Sequence, residues 1–136
     1  MTTRTAAVSP AAYLAVAVGA AIGGLLRAGL SLAWLGAGAV GWPWPTLAVN
    51  LLGSALIGAF WARVGPDASV HVSLERRLLV MTGFCGGFTT FSAFGIETLQ
   101  LWTSGRPGSA LVWIIAIGLG GPLAAALGWR SSRRSP

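Results

Sequence analysis

The chemistry-bearing residues are concentrated in one stretch, Gly86-Gly87-Phe88-Thr89-Thr90-Phe91-Ser92-Ala93-Phe94, with Glu97 and Thr98 just beyond it. Paired glycines weaken a helix and allow unusual backbone angles. A helix broken there leaves carbonyls without partners, and free carbonyls are what a hard cation such as Na⁺ binds in filters and transporter sites. The same small residues can also serve close helix packing. Phe91 and Phe94 are three apart and share a helix face. Ring edges are electropositive, so two edges aimed into a narrow passage favour an anion. Lipid contact or core packing is the plainer role for such a pair. Thr89, Thr90, Ser92 and Thr98 interleave hydroxyls with these rings.

Three more polar groups stand in apolar surroundings: Arg27, Asn50 and Glu97. Asn50 carries two N–H donors, which suit an anion or an interhelical hydrogen bond. Arg27 either snorkels, pairs with Glu97 as structural glue, or draws anions into an outer vestibule.

These groups need elements to hold them, and the sequence supplies four apolar runs, at 11–33, 45–63, 76–101 and 108–129. Each is long enough to cross a hydrocarbon core of about 30 Å, which takes roughly 20 helical residues. One four-helix transmembrane domain over 1–136 accounts for the chain, an all-α membrane protein. The Gly86-Gly87 pair falls near the midpoint of the third run, which predicts a break near the bilayer midplane. A break at that depth is tolerated only where protein or a water-filled cavity satisfies the backbone. Asn50 lies about six residues into the second run, roughly 9 Å deep. Arg27, Asn50 and Glu97 fall in one leaflet.

Composition excludes other solvents. Of 136 residues, 54% are hydrophobic and only 9% are charged, against about 25% in a soluble domain. A chain this small exposes too much of that surface to be a soluble globule, and it is too apolar to be disordered. The net charge of +6 is not a nucleic-acid patch, because every arginine except Arg27 flanks an apolar run. Arg4, Arg63, Arg76, Arg77, Arg130, Arg133 and Arg134 lie on the side of the termini; Arg106 alone lies opposite. That bias predicts cytoplasmic termini. Tryptophans 34, 42, 44, 61, 102 and 129 stand near span ends, as an interfacial belt does. A single Cys85 makes no intrachain disulfide, and a lone His71 makes no histidine cluster. One His, one Cys and three acids offer no catalytic constellation, so no enzyme is expected.

Three segments resemble the CrcB/Fluc family of small fluoride channels: Gly19-Ala20-Ala21-Ile22-Gly23-Gly24-Leu25-Leu26-Arg27, Trp42-Pro43-Trp44-Pro45-Thr46-Leu47-Ala48-Val49-Asn50-Leu51-Leu52-Gly53, and Thr82 to Phe94 continuing to Glu97. The resemblance covers essentially the whole chain. It implies an antiparallel dimer with two pores in the cell inner (plasma) membrane. At the dimer centre it implies a structural Na⁺, held by the backbone carbonyls of Gly86 and Thr89. It puts the pore asparagine at Asn50 and the pore phenylalanines at Phe91 and Phe94. Hydroxyls along the track are those of Thr90 and Ser92, with Thr46 near the entrance. The implied activity is passive, fluoride-selective conduction that lowers cytoplasmic fluoride.

Two features depart from the family pattern. The fourth run has Ser109 as its only hydroxyl. The arginine bias fits a chain of fixed orientation, which favours a heterodimer with an oppositely oriented homologue over a homodimer. Two other classes compete. A small multidrug exporter needs an acid in the first span, where this chain has Arg27 and none. A non-transporting membrane subunit has no use for a broken, hydroxyl-rich helix.

Overall fold

The computed structural model describes residues 9–37, 41–65 and 70–133. Arg4, Asp67 and Arg134 lie outside them. The described residues form four membrane-length helical passes: Pro10–Gly36, Trp44–Val64, Leu74–Thr103 and Pro107–Arg133. Each expected run lies inside one of them.

Local chemistry explains where the passes begin and end. α1 (Pro10–Gly36) starts on Ser9, whose hydroxyl accepts from the Ala12 N–H at 3.2 Å, with Pro10 preset for the first turn. α2 (Trp44–Val64) also opens with a proline in its first turn, Pro45. α3 (Leu74–Arg77) is capped by Ser73 through the Arg76 N–H. It continues directly into a π-helical stretch, Leu78–Cys85, and then α4 (Gly86–Phe88). The π-helical stretch was not expected from the sequence. After a gap of three residues comes α5 (Ser92–Thr103), and then α6 (Pro107–Arg133). Gly105, with φ +73°, ends α5: Arg106 N–H reaches back to Leu101 O, and Pro107 restarts the chain at once.

In lipid the hydrophobic effect does not drive helices together, so close van der Waals contact must. Two layers show this. α2 and α6 run in the same direction, and Gly58 faces the Ala125 backbone while Gly128 faces the Ala55 backbone. α1 lies as closely on the third pass: Gly19 and Gly23 meet the backbone between Leu79 and Phe88, and Gly83 and Gly87 meet Val16 and Ala20. Away from these seams the leucines and isoleucines of α1, α5 and α6 are exposed, as lipid-facing residues are. A small buried cluster of Leu101, Ala110 and Trp113 joins α5 to α6, with Trp42, Leu47, Phe94 and Ile117 packed on it.

Candidate functional site

The third pass breaks near its centre as expected, but at Thr89–Phe91, in the hydroxyl run just past the glycine pair, which is itself helical. Thr89 turns to extended backbone at φ −83°, ψ 163°, and Phe88 and Ser92 bound the interruption. The break stands at the centre of Leu74–Thr103. Every diverted backbone group there must be accounted for. Thr89 folds back on the preceding turn: its N–H and its hydroxyl both donate to Cys85 O, at 3.0 and 2.8 Å. The Thr90 N–H, which would bond Gly86 O in an unbroken helix, donates instead to Asn50 Oδ1 at 2.8 Å. Asn50 Nδ2 returns the bond to Thr90 O at 3.0 Å. The Ala93 N–H, the helical partner of Thr89 O, goes to the Thr90 hydroxyl at 3.2 Å. Thr90 therefore caps the second half of the pass. Among the described residues the diverted N–H groups leave the carbonyls of Gly86 and Thr89 open, while Gly87 O accepts from Arg27 Nε at 3.2 Å.

Asn50 is 9% exposed, buried between α2 and the break. The interhelical alternative for this residue is thus the one realised. It does not exhaust the amide, because a side-chain amide has two N–H donors and one remains. Gly53, one turn on, lets α2 approach: a methyl there would strike the Thr89 side chain.

Arg27 and Glu97 are not brought together. The carbonyl that the broken helix strands at Gly87 captures the guanidinium, and Thr46 takes the carboxylate: its hydroxyl donates to Glu97 Oε1 at 2.6 Å. Shared depth in one leaflet did not mean contact. The expected charge pair is replaced by two separate ties, each joining the third pass to a different neighbour. Thr46, Glu97 and Gln100 line a cleft of about 430 Å³ walled by Trp34 and Trp42. The arginine beside its continuation is Arg106, not Arg27.

The two rings behave differently. Phe91 is 81% exposed, whereas Phe94 is half-buried against the α5–α6 cluster. Their centroids are 5.4 Å apart. Ser92 is exposed beside them, its hydroxyl 3.2 Å from that of Thr90. Rings, hydroxyls and the open Asn50 donor therefore cluster around one helix start.

Sequence reasoning passed over Trp113. Its side chain is fully buried, and its indole Nε1 has no hydrogen-bond partner among the described residues. Glu97 Oε2 is the other such atom. The Trp42 ring stands edge-on to Trp113 at 5.6 Å. A buried orphan donor is rare enough to require an explanation. The available signal was a tryptophan inside α6 rather than at its end.

These features define a multi-pass membrane protein with a pinned discontinuity at mid-depth. The chain belongs to the CrcB family: the profile described as CrcB-like protein, Camphor Resistance (CrcB), matches residues 14–129. Its relatives include the fluoride-specific ion channel FluC 1 of Rhodopseudomonas palustris, 42% identical over 118 residues, covering 81% of this chain and 84% of the relative. A fluoride-specific ion channel FluC of Thermus thermophilus is 46% identical over 119 residues, covering 87% and 91%. That of Marinobacter nauticus is 47% identical over 116 residues, covering 85% and 90%.

Proposed function

We propose that this chain is a fluoride-selective channel that lets F⁻ leave the cell passively across the inner membrane. The observation that carries the reading is the broken third pass, pinned by Asn50, with donors and ring edges gathered at the break. Its relatives, fluoride-specific ion channels, support it.

Fluoride is small and strongly hydrated, so it must exchange water for donors along its track. Thr46 stands at the cleft with its hydroxyl proton on Glu97, and Asn50, Thr90 and Ser92 carry the polar line inward. Phe91 and Phe94 add electropositive edges. A track of neutral donors binds an anion without the deep trap that a fixed positive charge would make, and conduction requires sites weak enough to leave. Fluoride enters cells as HF and is trapped as F⁻, so a passive pore suffices for its removal.

The functional unit is an antiparallel dimer. The 81% exposure of Phe91 supports this, because one protomer leaves its own track open on one side. Gly86 and Thr89 would hold a structural Na⁺ at the dimer centre. Their donor set fits: two neutral carbonyl oxygens, each freed by a diverted N–H. Bound there, Na⁺ would neutralise stranded carbonyl charge and fix the break. The termini face the cytoplasm, and the seven-to-one arginine bias makes this chain the fixed-orientation half of a heterodimer with an oppositely oriented homologue.

Fluoride efflux from proteoliposomes tests the reading, with a fluoride electrode as readout and chloride as control. Fast fluoride-selective efflux with an opposite-facing homologue, and little without it, is the expected result. Robust efflux from the chain alone would keep the channel and remove the heterodimer. Silence with and without a partner would overturn the channel.

A further inference from the structure

We propose that the terminal face carries a binding site for the headgroup of an anionic phospholipid, built from Trp61, Arg63, Arg77, Trp129, Ser132 and Arg133. The proposal does not depend on ion conduction. The end of α2, the start of α3 and the end of α6 converge at this face. Arg63 Nη1 donates to Ser132 Oγ at 3.2 Å, tying α2 to α6. The Arg77 guanidinium lies 5.3 Å above the Trp61 ring, and that of Arg133 lies 4.7 Å above Trp129.

The stacking matters more than the charge count. A free arginine loses rotamer freedom when it grips a phosphate, and one already held on an indole loses less. A guanidinium stacked by its face still presents its N–H edges, which match phosphate oxygens bidentately. Trp61 and Trp129 are partly exposed at the span ends, the depth at which headgroups lie. Charge complementarity selects an anionic lipid. Among the described residues this face sets one carboxylate, Glu75, against Arg63, Arg76, Arg77, Arg130 and Arg133. His71 lies beside Arg77 in a cleft with three valines, which gives the site an apolar side.

Native mass spectrometry of the purified full chain tests this with phosphatidylglycerol and phosphatidylcholine as probes. Preferential retention of phosphatidylglycerol is expected. R77Q and R133Q should each lower that preference roughly fivefold, the size expected for one arginine at a charged membrane surface. R77K and W61L, which keep the charge and lose the stack, should also lower it. R106Q, at the opposite end, should leave it unchanged. Equal retention of the two lipids would overturn the site, and so would an equal loss in R106Q. Displacement of the lipid by millimolar glycerol phosphate would overturn it too, by showing a free-anion site.

Discussion

Asn50 closes the break with one amide, donating to Thr90 O and accepting from Thr90 N–H. Removing it strands two backbone groups in a buried setting, each worth about 1–3 kcal/mol. N50L should therefore lower stability by about 2–6 kcal/mol, read as a thermal shift in detergent, and abolish fluoride efflux. N50D keeps the acceptor and loses both the donor and the neutrality; efflux should fall further than stability. Trp113 behaves oppositely. Its Nε1–H has no partner among the described residues, so W113F removes an unsatisfied donor. Stability should hold or rise slightly, apart from the lost ring volume. Efflux should be unchanged, because an indole N–H with no accessible surface does not reach a permeating ion. A large loss of efflux in W113F would instead place that N–H on the ion's path. Asn50 was recognisable as an amide among apolar residues. Its partner was not, because nothing in a linear sequence says that residue 50 meets residue 90. The same limit hid the Arg27–Gly87 tie and made Arg27 and Glu97 look like a pair.

The passes themselves were legible, since twenty apolar residues bounded by arginine, tryptophan and proline leave few alternatives. The break was legible as well, from paired glycines followed by hydroxyls. The π-helical stretch at Leu78–Cys85 was not. Widened i→i+5 bonding has no composition of its own; here it coincides with the face on which Gly19 and Gly83 bring α1 to the third pass. The seams test how far such packing carries the fold. Gly128 lies against the Ala55 backbone, with no flexible side chain to move aside. G128L should prise α6 from α2 and destabilise by about 1–3 kcal/mol or more, the range for overpacking. Gly29 faces open space, so G29L should be nearly neutral in the same thermal assay.

At the scale of the whole molecule, what one protomer exposes says most. Phe91, Ser92 and Gly86 are exposed beside the break. A face with ring, hydroxyl and open carbonyl cannot rest against lipid, where each unsatisfied polar group costs several kcal/mol. The second protomer of the proposed dimer would cover it. Gly86 lies at mid-depth, and a two-fold axis in the membrane plane brings only mid-depth residues of two antiparallel chains together. No neighbour crowds the position, so a side chain is accommodated there. G86C in a C85A background should therefore cross-link through the partner's equivalent position. In a homodimer the chain alone would give the linked product. In the proposed heterodimer, the linked product should form only when an oppositely oriented homologue bearing its own cysteine is co-expressed. A cysteine at Leu14, near one membrane face, should not link to its counterpart in either case. Linkage at Leu14 but not at Gly86 would mean a parallel assembly, and would remove both the shared ion site and the two-pore arrangement.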